Sequence, residues 1–208
     1  MAAPAGAERV AEPRAESWAG VTADELMEEA CRLAAEAVRN DWGGPFGAVI
    51  AKDGEIVSRG QNRVLLTGDI TAHAELESIR KAVAILNPEA PSIAAERQDS
   101  STLALLPRPR GSSDPLPERA RMLMGMDIYT TGWPCPMCMS AIYLARLDSV
   151  QFACDLEATS DIGFDDALQY EEFVKPLSER RIDISQVRSD LGAQAYRVWM
   201  QKANRHPY

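Results

Sequence analysis

The chain reads Pro134-Cys135-Pro136-Met137-Cys138 in its second half and, about 60 residues earlier, His73-Ala74-Glu75. Cysteines spaced i and i+3 lie on one face of a helix's first turn, and the two prolines favour a helix that begins there. The positive end of that helix lowers thiol pKa values and favours the thiolate that binds metal. Together with His73, the two cysteines form a candidate set of three zinc ligands, which leaves the fourth position of a tetrahedral site for water.

Glu75 follows His73 by two residues, too close in sequence to share its ligand direction easily, yet within reach of that water. Zinc lowers the pKa of a bound water toward about 7, and a nearby carboxylate moves protons as general acid and base. The pattern H-x-E followed by P-C-x-x-C resembles the signature of zinc-dependent hydrolytic deaminases. It predicts removal of an amino group from a ring carbon, with Glu75 carrying the protons.

A Cys-x-x-Cys pair alone is also typical of redox-active thiols and of structural zinc knuckles. A structural site would need a fourth ligand, for which the chain offers Cys31, Cys154 and His206. Cys31 is predicted to be buried on an apolar helix face, Cys154 to be buried at the end of a strand, and His206 to lie on the surface. These expectations favour the catalytic interpretation.

The composition of the chain restricts its possible fold and its possible binding partners. A chain of 208 residues suits one well-cored domain, expected at residues 22–208 after a disordered tail at 1–21 without a secretory signal. The four cysteines suggest no disulfide framework, and no apolar run is long enough to span a bilayer. The net charge of −9 disfavours a polyanionic partner. We expect a cytoplasmic protein that binds no nucleic acid and no membrane and acts on a small molecule.

Hydrophobic periodicity and turn signals predict alternating helices and strands. Asp53-Gly54 is typical of a two-residue hairpin turn, and Thr71 is a candidate cap for the helix that holds the His-Ala-Glu motif. The alternating order indicates an α/β sheet with parallel neighbours and a site at one sheet edge. The predicted helices are 22–39, 72–86, 136–146, 166–173 and 191–203, and the predicted strands are 46–52, 55–59, 126–131, 149–154 and 182–187.

Residues from about 88 to 121 are rich in Pro, Ser, Arg and Gly. This composition predicts a surface insertion between a helix and the third strand. A lid over the active site and plain disorder both remain open for it.

Four further blocks carry a family resemblance that runs from about residue 27 to 208: Gly-Gly-Pro-Phe-Gly-Ala-Val at 43–49, Gln-Asn at 61–62, Ala-Ile-Tyr at 141–143 and Gly-Phe-Asp-Asp at 163–166. The chain resembles the cytidine-deaminase-like superfamily and, within it, the bacterial guanine deaminases and related plant guanosine deaminases. The resemblance implies a three-layer α-β-α fold around a central mixed five-stranded sheet. It also implies one zinc ion per chain and hydrolysis of guanine to xanthine and ammonia.

The same resemblance implies roles for individual residues. Asp166 would be a second proton carrier, although its position alone is also typical of a solvated helix start. Members of the family form homodimers whose C-terminal segment crosses to the partner's site, which would bring Tyr208 and Trp199 near the substrate. The remaining implied contacts are stacking of the purine on Phe46, hydrogen bonding by Asn62 and backbone contacts from Ala74.

The chain departs from the family pattern at Gly132-Trp133, where Cys-Glu usually precedes the Pro-Cys motif. Trp133 either reshapes the substrate pocket or packs under the site. Guanosine and other aminated bases, nucleosides or heterocycles therefore remain alternatives to guanine. Adenosine deamination in tRNA would require a basic docking surface, and a non-catalytic zinc module would require a fourth protein ligand.

Overall fold

The computed structural model of the protein describes residues 20–86, 122–203 and 205. Within these residues the chain alternates helices and strands, as the sequence predicts. The strands are β1 (Gly47–Lys52), β2 (Glu55–Gln61), β3 (Asp127–Gly132) and β4 (Ser149–Cys154). The α-helices are α1 (Ala23–Arg39), α2 (Val64–Thr67), α3 (Ala74–Leu86), α4 (Pro136–Ala145), α5 (Leu156–Asp161), α6 (Ala167–Val174) and α7 (Ser189–Gln201).

Helix α1 begins at a reciprocal capping box. The hydroxyl of Thr22 accepts a hydrogen bond from the amide of Glu25, and the Glu25 carboxylate accepts one from the amide of Thr22. This arrangement satisfies two amides that a helix start leaves without partners, and it confirms the predicted N-terminus. The residues that α1 buries recur at helical spacing: Leu26, Ala30, Leu33, Ala34 and Ala37.

The four strands form one mixed sheet in the order β2-β1-β3-β4. β1 pairs antiparallel with β2 and β3, whereas β3 and β4 are parallel. The turn between β1 and β2 consists of Asp53 and Gly54, which have φ angles of 50° and 76°. Two consecutive positive φ angles are what a type I′ hairpin turn requires, so the predicted hairpin is confirmed.

Side chains alternate between the two faces of the sheet. Val49 and Tyr129 pack with α1 on one face, whereas Ile50 and Ile128 lie in the cluster on the other face. That second cluster includes residues of α3 and α4, and these two helices contact each other. The result is the expected three-layer α-β-α architecture with a mixed sheet.

Gly60 allows β2 and α3 to approach closely. A Cβ atom at this position would lie 1.9 Å from the carbonyl oxygen of Ala74 and 2.6 Å from the amide nitrogen of Ser78. The hydroxyl of Ser58 donates to the carbonyl oxygen of Ser78 at 2.8 Å and joins the same two elements. These contacts fix the first turn of α3, next to the His-Ala-Glu motif.

Helix α3 begins at Ala74, two residues later than predicted, and Thr71 does not cap it. The amide and hydroxyl of Thr71 both donate to the carboxylate of Asp69, at 2.8 and 2.6 Å. The amide and hydroxyl of Thr71 are thus used in this local turn. His73 therefore immediately precedes the helix instead of lying in its first turn.

The fifth strand of the predicted sheet is not confirmed. Residues 182–187 have no sheet pairing in the described part of the chain, and Ile182 and Val187 are exposed. The predicted burial of two cysteines is wrong. Cys31 lies on the exposed side of α1, and Cys154 ends β4, whose last three residues are exposed.

Several predictions fall outside the described residues. They concern most of the N-terminal tail at 1–21, the insertion at 88–121, and both His206 and Tyr208. No helix within the described residues combines the length and the apolar character needed to cross a membrane.

Candidate active site

The three predicted metal ligands meet at the starts of two neighbouring helices. The carbonyl oxygen of His73 accepts a hydrogen bond from the amide of Glu77 in the first turn of α3. Cys135 is the N-cap residue of α4, and Pro136 fills the helix's first position as predicted. The Nδ1 atom of His73 lies 3.6 Å from the Sγ atom of Cys135 and 3.6 Å from that of Cys138.

The geometry of these atoms fits a zinc ion. All three ligand atoms lie within 4.8 Å of one another. A nitrogen and a sulfur bound to the same tetrahedral zinc are expected about 3.5 Å apart, close to the observed 3.6 Å. In residues 20–86, 122–203 and 205, no further His, Cys, Asp or Glu joins the group, so neither Cys31 nor Cys154 closes it. Three protein ligands are typical of a catalytic zinc site.

The two cysteine thiols have opposite pKa shifts. A hydrogen bond from Cys138, helped by His73, lowers the pKa of Cys135 to about 4. The hydrogen bond with Cys135 raises the pKa of Cys138, and burial acts in the same direction. The shared hydrogen bond shows that the two thiols lie close enough to act on one another, and both would bind a metal ion as thiolates.

Glu75 lies in the first turn of α3 with 7% of its surface exposed. Burial raises the pKa of its carboxyl group to about 7, while the His73 ring lowers it. A carboxyl group with a pKa near neutrality exchanges protons readily in both directions. Glu75 therefore has the position and the acidity of a proton carrier.

The cluster opens into a cavity of about 380 Å³, a volume within the usual range of small-molecule sites. Its wall comes from the loop before β1, the α2 region, the starts of α3 and α4, and the residues before α6. The lining residues are Gly43, Gly44, Phe46, Asn62, Val64, Leu65, Ile70, His73, Glu75, Trp133, Cys135, Phe164 and Asp166.

Asn62 is a buried polar residue in this wall, with 4% of its surface exposed. Its Oδ1 atom accepts a hydrogen bond from the amide of Val64 at 3.2 Å. A Cβ atom at Gly43 would lie 2.0 Å from Oδ1, so only glycine fits beside it. With Oδ1 engaged in this way, Nδ2 is the atom of Asn62 that suits a hydrogen-bond acceptor on a ligand.

Two aromatic side chains form another part of the wall. The rings of Phe46 and Phe164 meet edge to face, with centroids 4.9 Å apart and an interplanar angle of 88°. Phe46 is half-buried and packs against the core cluster that contains Ile50 and Ile128. Both rings line the cavity and provide apolar surface for a flat ligand.

Asp166 stands at the start of α6, where its side chain makes no capping hydrogen bond to the helix. It lines the same cavity as Glu75 and Cys135. Burial and the nearby Cys135 thiolate raise the pKa of its carboxyl group above the ordinary value. The structure thus brings both candidate proton carriers to one cavity.

Three other predicted substrate contacts remain predictions. Ala74 is fully buried against Gly60 and is not among the described lining residues. Trp199 lies on α7 with 42% of its surface exposed, also apart from that lining. Tyr208 is outside the described residues.

Sequence reasoning missed part of the cavity wall. Helix α2 and the loop after it contribute Val64, Leu65 and Ile70, and no periodic pattern marks a helix of four residues. Phe164 belongs to the Gly-Phe-Asp-Asp block, which gave a signal for it, although no role was predicted.

The sequence and the fold both match known deaminases. Residues 21–154 match the family described as the cytidine and deoxycytidylate deaminase zinc-binding region. The guanine deaminase of Bacillus subtilis is 36% identical over 183 residues, which cover 88% of this chain and 97% of that protein. A tRNA-specific adenosine deaminase of Aquifex aeolicus is 31% identical over 109 residues, which cover 52% of this chain and 51% of that protein.

The X-ray structure of guanine deaminase from Bacillus subtilis superposes with a TM-score of 0.72 at 34% identity. The matched region covers 90% of this chain and 99% of that one. The similarity therefore extends beyond the zinc-binding region into the C-terminal part of the chain.

Proposed function

The chain belongs to the cytidine and deoxycytidylate deaminase family, and from this membership we propose that it hydrolyses guanine to xanthine and ammonia. The three-ligand cluster beside a buried Glu75 carries the assignment to a deaminase. The similarity to a guanine deaminase over nearly the whole chain supports the choice of base.

His73, Cys135 and Cys138 would hold the zinc ion. When bound, zinc acts as a Lewis acid and lowers the pKa of a water molecule at its open position. The protein supplies two anionic or polarised sulfurs and one imidazole nitrogen, a donor set that suits this metal. The surrounding residues must then position the purine and move its protons.

Glu75 would take up a proton from the attacking water and return it to a ring nitrogen of the base. The carbon that bears the 2-amino group gains the water oxygen, and the amino group leaves as ammonia after it receives a proton. Asp166, which lines the same cavity, would act as the second proton carrier. Both carboxyl groups have raised pKa values, which suits them to hold a proton near neutral pH.

Two further residues would orient the base. Asn62 would donate from Nδ2 to an acceptor on the purine edge, since its Oδ1 is engaged by the chain itself. Phe46 would stack on the ring, with Phe164 supporting it at the edge. The backbone of Ala74, the ring of Trp133 and the C-terminal Tyr208 are additional proposed contacts.

Ammonia release from guanine by the purified zinc-loaded protein tests the substrate. We expect turnover with guanine to exceed that with guanosine, adenine, cytosine and a tRNA anticodon stem. Xanthine should appear in equal amount to ammonia. If the protein deaminates guanosine but not guanine, the proposed substrate is wrong and the nucleoside takes its place. If only the tRNA stem releases ammonia, the protein is an RNA-editing enzyme and not a guanine deaminase.

We also propose a homodimer in which the C-terminal segment crosses to the partner. Residues 182–187 carry three exposed apolar side chains, Ile182, Ile184 and Val187, and are unpaired in the described chain, while β4 lies at the edge of the sheet. An exposed edge strand readily accepts another strand. No residue of α7 is buried, although Val198 and Met200 are apolar and exposed. A second copy that adds residues 182–187 to β4 would complete a five-stranded sheet and cover these side chains.

Light scattering coupled to size-exclusion chromatography tests this arrangement. The wild-type chain is expected at twice its monomer mass. Ile184→Pro should weaken the dimer at least tenfold because proline has no N–H group for a sheet hydrogen bond. Ile184→Thr keeps that group and serves as the matched control. A monomeric wild type at micromolar concentration would contradict the proposal.

The cytoplasmic location of the protein also stays a prediction, which cell fractionation would test.

A further inference from the structure

A chain of hydrogen bonds joins the metal-binding turn to α6. The Nε1 atom of Trp133 donates to the hydroxyl oxygen of Tyr170 at 3.1 Å, and this hydroxyl donates to the carbonyl oxygen of Pro134 at 2.8 Å. The indole ring also meets Phe152 of β4 edge to face, with centroids 4.8 Å apart. We name Trp133, Tyr170 and the Pro134 carbonyl the indole–phenol strap.

The strap lies at a sensitive point of the site. Pro134 is fully buried and directly precedes the ligand Cys135. A buried carbonyl group needs a hydrogen-bond partner, and the Tyr170 hydroxyl provides it. Removal of that hydroxyl would leave the carbonyl oxygen without this partner beside a metal ligand.

Outside the strap, the side-chain hydrogen bonds between α6 and the other described residues reach only the segments that directly flank it: at its C-terminal end, Arg180 donates to the Phe173 carbonyl oxygen and the Arg181 amide donates to Glu172. Helix α6 has eight residues, none of them buried. Asp166 stands at its start, and the amide of Tyr170 bonds to the Asp166 carbonyl oxygen at 3.4 Å. Tyr170 is thus one helical turn from the cavity carboxylate. Movement of Tyr170 would move Asp166 with it.

We propose that Tyr170 is a positioning residue that, through the indole–phenol strap, keeps Asp166 facing the metal ligands. This inference rests on the proposed function for its kinetic consequence, whereas its structural consequence does not depend on the substrate. Trp133 completes the strap because its only donor polarises the Tyr170 hydroxyl, which in turn donates to Pro134. Trp133 consequently offers the cavity only ring atoms and no free hydrogen-bonding group.

The first test compares Tyr170→Phe with wild type in the zinc-loaded full-length protein. Loss of a hydrogen bond to a buried acceptor predicts a fall of about tenfold in kcat. KM should stay within about twofold, and zinc content should be unchanged. Tyr143→Phe is the matched control, because Tyr143 is 77% exposed on α4. A normal kcat, or loss of zinc from Tyr170→Phe, would overturn the positioning role.

The second test uses Trp133→Phe, which keeps an aromatic ring but lacks the donor. We expect a smaller loss of kcat, about threefold, because the bond from Tyr170 to Pro134 remains. If the two residues act as one unit, the double variant should lose no more activity than Tyr170→Phe alone. If the fold loss of kcat in the double variant equals the product of the two single losses, the two residues act independently and the strap is rejected.

Hydrogen exchange measured by mass spectrometry gives a readout independent of turnover. Amides of residues 166–174 should exchange several-fold faster in Tyr170→Phe than in wild type, with no change in α1 or in Tyr143→Phe. Unchanged exchange in this segment would overturn the inference. If the wild type is inactive toward guanine, the proposed substrate is wrong. The exchange measurement still tests whether Tyr170 holds α6 in place.

Discussion

The acidity of Glu75 depends on its surroundings. Its side chain is nearly fully buried beside the ligand cluster, and burial places its pKa near 7. Glu75→Gln keeps the size of the side chain but cannot accept a proton. Loss of general acid–base catalysis predicts that kcat falls by about 10²- to 10⁴-fold.

Zinc analysis and steady-state kinetics check this prediction together. The metal content of Glu75→Gln should equal that of wild type, because Glu75 is not a ligand. Glu77 lies two residues after Glu75 in the same helix. Glu77→Gln is the control and should keep activity within about threefold. Equal turnover of Glu75→Gln and wild type would remove Glu75 from the mechanism.

A second single-residue effect concerns stability against acid. The carboxylate of Glu29 bonds to Arg32 at 2.7 Å and to Arg59 at 2.6 Å, and so joins α1 to β2. The hydrogen bond from Arg32, with help from Arg59, lowers the pKa of Glu29 from 4.5 to about 2. A lowered folded-state pKa stabilises the fold above pH 4.5, and this contribution disappears as the pH falls toward 2.

Glu29→Gln should therefore lower the free energy of unfolding by about 1 kcal/mol at pH 7, a modest value because both arginines are half exposed. The difference from wild type should shrink steadily from pH 4.5 to pH 2. Urea unfolding at several pH values measures it. Glu28→Gln, at an exposed position, is the control. A difference that grows on acidification would contradict the assignment.

At the scale of elements, the close contact between β2 and α3 sets the position of His73 and Glu75. Gly60→Ala would place a methyl group against the backbone of Ala74, and overpacking of this kind costs about 1–3 kcal/mol. We expect a lower free energy of unfolding and a lower affinity for zinc, because α3 must shift. Gly192→Ala, where a Cβ atom meets open space, is the control. Unchanged zinc affinity in Gly60→Ala would show that α3 is fixed by other contacts.

The elements that the sequence predicts well are those with strong local signals. The capping box at Thr22 and the Asp53-Gly54 turn are satisfied within a few residues, so local patterns suffice for them. The sequence places the start of α3 two residues early, because the competing bonds of Thr71 to Asp69 are not visible as a helix signal.

Pairing between distant segments was harder to predict. Residues 182–187 have a strand-like composition, but a strand requires a partner, and none is present among the described residues of one chain. The metal ligands could be predicted because zinc chemistry restricts residue types and spacing. The part of the cavity wall formed by Val64, Leu65 and Ile70 could not be predicted, because these residues gain their roles only through the tertiary fold. The same holds for Tyr170, whose hydroxyl reaches the Pro134 carbonyl.

At the scale of the whole molecule, the metal ligands lie beside the hydrophobic core, and Cys135 and Cys138 are themselves buried. The two buried clusters that join the helices to the sheet contain none of the three ligands. The ligand cluster instead links the starts of α3 and α4, which already contact each other. In small zinc-dependent domains the metal supplies most of the folding free energy, whereas this core is built without it.

Zinc removal should therefore abolish turnover without unfolding the protein. After dialysis against a chelator, we expect the far-ultraviolet circular dichroism to be retained and ammonia release from guanine to be lost. The melting temperature should fall, because zinc stabilises only the folded state. Addition of zinc should restore both properties, whereas magnesium, which prefers oxygen ligands, should restore neither. Loss of the circular dichroism signal on chelation would show that the two helix starts depend on the metal, and that the core alone does not hold the three layers together.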